Sequence, residues 1–217
     1  MPLNPQCNVD LFNKINIETQ PSLFSAFTQV TLWQGTTIPE EICPLVFKDA
    51  SLDVFTVHAP FKLYPFEKMD KLNASIGFLD LYENDYILDE EHIDPILFKD
   101  LRVLKTNEAN IIRISDSFMS SFPNLDYVHI KEKSLGNFFK RNGMKWLRSF
   151  NAHVNVDFSN QESIQAYSED DMKTISFDDE SSAYKFPDED FCYFKDFPHN
   201  HLVFFQRKFH IFFYFCF

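Results

Sequence analysis

Large apolar residues recur along this chain in a fixed phrase. Residues 101–106 read LRVLKT, with Leu101, Leu104 and Thr106 at relative positions 1, 4 and 6. The same phrase recurs as Phe27-Val30-Leu32, Leu52-Phe55-Val57, Ile76-Leu79-Leu81, Leu125-Val128-Ile130 and, in weaker form, Leu147-Phe150-Ala152. The starts at 27, 52, 76, 101, 125 and 147 give steps of 25, 24, 25, 24 and 22 residues. A step this constant over six copies is the mark of an internal repeat. Positions 4 and 6 alternate with their neighbours, which predicts a short strand with one buried face. One such unit cannot bury its own apolar edge. Stability therefore requires stacking, each strand pairing in parallel with the next.

The second half of each unit is also apolar, with looser spacing. Leu63, Phe66, Met69 and Leu72 occupy it in one unit, Ile93 and Leu97 in the next, and Ile111, Ile114, Phe118 and Phe122 in the one after. Phe118 and Phe122 have helical spacing. Asp89 and Asp116 are candidate N-caps of short helical turns.

These residues resemble the leucine-rich repeat family, whose unit is L-x-x-L-x-L-x-x-N/C-x-L over 20–29 residues. A length near 24 and the SSFPNL that ends one unit are similar to extracellular leucine-rich repeats of animals. The resemblance covers residues 27–158. It implies an α/β fold: a leucine-rich repeat solenoid of about six repeats, with a curved parallel β-sheet and short helical or irregular convex segments. The family's Asn at position 9, which bonds backbone at the inner turn, corresponds here to Asn84 and Asn155. Asn110 is displaced by one behind Ala109, and Gly35, Pro60 and Lys133 stand at that position in other units.

Charge and cysteines refine the organisation. The 217-residue chain has net charge −12, which argues against nucleic acid and anionic membrane surfaces as partners. Residues 157–196 carry 12 Asp or Glu against 3 Lys, most of the net charge. The expected organisation is an N-terminal flank or cap at 1–26, repeats at 27–158, an acidic, partly disordered loop at 159–191, and an end segment at 192–217. FCYFKDF beside Cys192 is similar to the opening of a disulfide-bonded C-terminal cap of extracellular leucine-rich repeat proteins. The partner cysteines of such a cap do not follow, and the last 17 residues hold 7 Phe. This end reads as an incomplete cap on a truncated gene product, or as a final apolar strand closing the stack. Cys7 and Cys43 fit either buried free thiols or a disulfide. The run Asn73-Ala-Ser75 is an N-glycosylation sequon, used only in a secreted chain.

Candidate chemistry narrows to one surface. The sequence has no G-x-S-x-G, no G-x-x-x-x-G-K-[ST] and no H-E-x-x-H, so neither catalysis nor a cofactor is expected. DEEH at 89–92, and His199 and His201 near Cys192, could suggest metal ligands. Solvated turn acids for the first, and loop or cap histidines for the second, are the favoured readings. If positions 4 and 6 point inward, positions 3, 5 and 7 form the concave face. Partner-binding candidates there are Trp33, His58, Phe78, Asp80, Tyr82, Lys105, Asn107, Tyr127, His129, Lys131 and His153. Aromatic residues beside charges on an extended concave sheet suit protein recognition. His58, His129 and His153 can titrate near physiological pH. The expectation is a non-catalytic protein-binding module with no membrane span. It is placed outside the cell or at its surface, the alternative being an intracellular adaptor.

Overall fold

The computed structural model describes residues 22–33, 41–58, 62–66, 69–132, 135–143, 145–146 and 154–160. It also describes the backbone of strands at 164–167, 174–177, 184–185, 202–206 and 209–212. The strands of the main sheet are β1 (Gln29–Leu32), β4 (Val54–Val57), β7 (Phe78–Tyr82), β9 (Val103–Asn107), β11 (Tyr127–Glu132), β12 (Asn155–Asn160), β16 (Leu202–Gln206) and β17 (Phe209–Phe212). They lie side by side in that order. Every neighbouring pair is parallel except the last, where β17 turns back on β16.

Register is what makes this sheet a core. Val30 pairs with Phe55, Phe55 with Leu79, Leu79 with Leu104, Leu104 with Val128, and Val128 with Val156. Parallel pairing without slippage places inward residues only on inward residues. A second column, Leu32, Val57, Leu81, Thr106, Ile130 and Phe158, runs beside the first, and both are buried. Thr106 is the one polar member. Its hydroxyl accepts the Lys131 N–H at 3.2 Å, so its burial leaves no unsatisfied group.

Three further pairs of short strands flank the main sheet. β2 (Glu41–Ile42) pairs with β5 (Lys62–Leu63), β3 (Ser51–Leu52) with β6 (Ser75–Ile76), and β8 (Asp85–Leu88) with β10 (Asn110–Ile114), all in parallel. Between them lie 3-10 turns at Pro44–Phe47, Met69–Lys71 and Phe118–Ser121. The mostly parallel strands and few helices are compatible with the α/β class. The apolar residues of the second half-units face inward: Leu63, Phe66, Met69, Leu72, Ile93, Leu97, Ile111, Ile114, Phe118 and Phe122 are all buried. Asp89 caps a turn, its Oδ1 accepting the N–H groups of Glu91 and His92 at 3.2 and 3.0 Å. Asp116 does not cap: Ser117 stands at the N-cap of the third 3-10 turn, with no side-chain bond.

Several expectations need correction. Leu147-Phe150-Ala152 does not mark the sixth strand, which is β12, with Val156 opposite Val128. The helix α1 (Leu135–Asn142) is inserted here, lengthening this unit beyond the regular step. In an apolar-rich chain, a triplet with the right spacing then occurs by chance before the true strand. Asn155 therefore lies in a sheet strand and is not an inner-turn asparagine. At the other end, Phe27 is 52% exposed, and Phe24 takes the buried place, with its ring 5.2 Å from that of Phe47. The acidic stretch contains an antiparallel sheet of β13 (Ile164–Tyr167), β14 (Thr174–Phe177) and β15 (Tyr184–Lys185). Apolar and β-branched residues inside IQAY and TISF support pairing that the charge excess obscures. In the Phe-rich end, β16 extends the main sheet beside β12, the arrangement of a closing strand.

Helix α1 covers the free side of β10. Phe138 and Phe139 are buried, and Gly143 ends the helix with φ of +58°, donating its N–H to the Phe139 carbonyl at 2.8 Å. The unpaired backbone groups of β10 are taken up by side chains. Glu132 Oε1 accepts the Ile111 N–H at 2.6 Å, and Asn142 Oδ1 accepts the Ile114 N–H at 3.0 Å. Arg141 and Asn142 donate to the Ile111 carbonyl at 3.3 and 3.1 Å. An open edge would otherwise template pairing with other chains. Glu132 is buried, and that burial lifts its pKa from 4.5 to about 7, against the opposing pull of the Ile111 N–H and the Arg141 guanidinium.

A carboxyl raised in this way favours the folded state when protonated. Its stabilisation is complete below pH 4.5 and is lost as pH rises through about 7. Glu132→Gln keeps an acceptor for Ile111 and removes the titration. Denaturant unfolding should show the native chain losing on the order of 2 kcal/mol relative to this variant between pH 4.5 and 7. Parallel pH profiles for the two chains would contradict this account of the edge.

Candidate partner-binding face

Alternation along the main-sheet strands sends positions 3, 5 and 7 to the face opposite the core. Each residue of this face sits beside its counterpart one strand away, because the register carries all three positions in step. Of the candidates, Trp33, His58, Phe78, Asp80, Tyr82, Lys105, Asn107, Tyr127, His129 and Lys131 lie on this face, partly or largely exposed. His153 lies outside the described residues and precedes β12. The sixth strand instead contributes Asp157, paired with His129 and 8% exposed. A step of 28 residues from Val128 to Val156 is the signal that would have found it.

The row at position 7 begins as a column of rings. Trp33 and His58 stack with centroids 3.9 Å apart and planes 9° apart, and His58 stacks on Tyr82 at 4.3 Å and 21°. Strand spacing imposes this distance, since neighbouring parallel strands lie about 4.8 Å apart. Trp33 is 67% exposed. The row then becomes polar. Asn107 donates to Asp80, and the Lys131 Nζ reaches Glu108 Oε1 at 2.9 Å. Beyond the strands the chain turns at Glu83 and Glu108, with φ of +48° and +56°, a left-handed conformation repeated one unit apart. Asn84 fixes the first of these turns, donating to the carbonyls of His58 at 2.8 Å and Tyr82 at 3.2 Å. The buried Tyr86 hydroxyl donates to the same region, to Val57 and Tyr82 carbonyls at 3.1 and 3.0 Å.

The middle rows pair aromatic and charged groups. Lys105 Nζ stands 5.1 Å from the centre of the Phe78 ring. The Tyr127 hydroxyl donates to Asp157, and its ring lies 6.4 Å from that of His129. Burial raises the Asp80 pKa, while hydrogen bonds from Asn107 and Tyr82 oppose the rise. Burial, and then the Asp157 carboxylate, hold the Tyr127 hydroxyl far above its ordinary range. Burial also lowers the His129 pKa, and the charges of Lys105 and Lys131 reinforce the effect against the attraction of Asp157. The net displacement of His129 is downward, away from the range its surroundings on an open face would give it.

The face carries a π-column, single charges of both signs and half-buried aliphatics. It can bind by stacking, ion pairing and hydrogen bonding. Among the described residues no group of three or more His, Cys, Asp and Glu is placed to hold a metal, and no helix is long and apolar enough to cross a membrane. Elsewhere, Cys43 is buried and disulfide-bonded, while Cys7, Cys192 and Cys216 lie outside the described residues. The sequon Asn73 is exposed at φ of +50°, in the turn before β6, and its amide lies 3.3 Å from Asp49 Oδ1. Asp89 binds His92 Nδ1 at 2.6 Å and Arg113 at 2.7 Å, tying DEEH to the next unit.

Comparison with protein-family models, with curated proteins and with solved structures found no match to this chain.

The environment of His129 gives a direct test. Its imidazole should titrate below 6.5 in an NMR pH series, and Asp157→Asn should lower the midpoint further by removing an attraction that raises it. A midpoint at or above 6.5 in the native chain, or a rise in the variant, would overturn the assignment of these charges.

Proposed function

We propose that this chain is a leucine-rich repeat solenoid that binds another protein through the face carrying Trp33, Tyr82 and Lys105, without catalysis. The observation that carries the reading is the register: unit after unit, strands 24 or 25 residues apart pair in parallel and present the same three positions to solvent. Three further features support it. Asn84 bonds backbone at the inner turn as the family resemblance implies. The rows of the face mix stacked aromatics with single charges, the composition of interface anchors. The fold supplies a rigid, extended surface that a partner can cross strand by strand.

A secreted or cell-surface setting fits best. The disulfide at Cys43 favours an oxidising compartment, and the exposed Asn73 sequon would be glycosylated there.

The double substitution Trp33→Ala with Tyr82→Ala tests the face. Tyr127 is left intact because its hydroxyl holds Asp157. Capture of a partner from source tissue should fall at least tenfold in the double variant, with an unchanged thermal unfolding curve, since removing interface anchors costs about 2 kcal/mol or more. Ile112→Ser, on β10 away from the face, should leave capture intact. Equal loss in both variants, or no loss in either, would refute the assignment.

A further inference from the structure

The position-7 column has one open end. His58 is covered by a ring on each side, Trp33 and Tyr82. Among the described residues Trp33 has a ring on one side only, and the residue is 67% exposed. A second ring on the same face, that of Phe78, already holds a cation of the protein's own, the Lys105 ammonium at 5.1 Å. Indole attracts a cation more strongly than a phenyl ring does. Yet among the described residues no cation is placed over Trp33. On the strands nearest to it, β1, β4 and β7, the face has one formally charged side chain, Asp80, and it is negative. The lysines of the face, Lys105 and Lys131, stand further along and are engaged by Phe78 and Glu108. Net charge −12 gives the whole molecule the same sign.

We propose that the open side of Trp33 seats an arginine guanidinium from a basic segment of the protein partner, extending the Trp33–His58–Tyr82 column by one planar group. This rests on the reading of the face as a partner-binding surface and adds the chemistry of the partner to it. A guanidinium suits the place better than an ammonium because it is flat and weakly hydrated. It can lie against the ring at stacking distance while its edge N–H groups stay solvated. The acidic molecule favours approach of a basic segment, and the stack fixes where one side chain of that segment comes to rest.

The two tryptophans make the event observable. Trp146 is fully buried, so an aqueous quencher reaches Trp33 and not Trp146. The probe is a nonapeptide of arginine, titrated into the full chain at 0.15 M salt, with a lysine nonapeptide as the equal-charge control. The arginine peptide should protect Trp33 from acrylamide quenching, and the lysine peptide should protect it much less. Trp33→Ala should weaken binding of the arginine peptide roughly five- to tenfold, with little effect on the lysine peptide. Trp33→Phe, which keeps a smaller π-face, should fall between. Equal protection by both peptides, absence of protection, or unchanged affinity in Trp33→Ala would each overturn the proposal. If that happens while the Trp33/Tyr82 double variant still loses its partner, the face reading stands and only the guanidinium seat falls. Capture unaffected in the double variant would remove the face reading itself.

Discussion

In-register parallel pairing is the constraint on which everything else depends. A strand has a side-chain period of two, so one residue of slippage would exchange the buried and solvent faces. Pairing Leu79 with Leu104 and Leu104 with Val128 therefore sets the inner columns and the outer rows together. The aromatic stack of Trp33, His58 and Tyr82 has no separate cause. It is the outward consequence of the same hydrogen-bond ladder that buries Leu32, Val57 and Leu81. The proposed binding surface and the core are two readings of one register.

The same ladder creates edges, and the chain deals with one of them through polar side chains. On β10, whose far side has no strand partner among the described residues, Glu132, Arg141 and Asn142 supply donors and acceptors. Glu132 is placed for this by ending β11, and α1 brings the other two. The arrangement places a buried carboxyl where backbone pairing would normally suffice, and its raised pKa follows from that burial. The insertion of α1 also lengthens the unit between β11 and β12, so the departure from the regular step and the closed edge have one origin.

Much of the sheet was legible because the period-two pattern and the 24-residue step are both direct consequences of buried parallel strands. Five of the six expected strand positions match the ladder from Val30 to Val128. The sixth was misread because apolar spacing alone cannot tell Phe150 from Val156 once a helix intervenes. The small ladders, such as β8 with β10, were missed because pairs of two to five residues carry little periodic signal. The face was legible as a set of residues but not as contacts. Stacking of His58 between two rings, and the Tyr127–Asp157 bond, depend on register to one residue. The lowered pKa of His129 depends on burial, on Lys105 one strand away and on Lys131 along the same strand, which no linear pattern reports.

Methyl-to-methyl NOEs among Leu79, Leu104 and Val128, in selectively labelled protein, measure the register itself. Strong cross-peaks from Leu79 to Leu104 and from Leu104 to Val128 are expected, with only weak transfer from Leu79 to Val128 across about 10 Å, two strand spacings. Absence of the two neighbouring cross-peaks, or Leu104 methyls pairing with a residue outside the column, would contradict the fold and with it the proposed binding face.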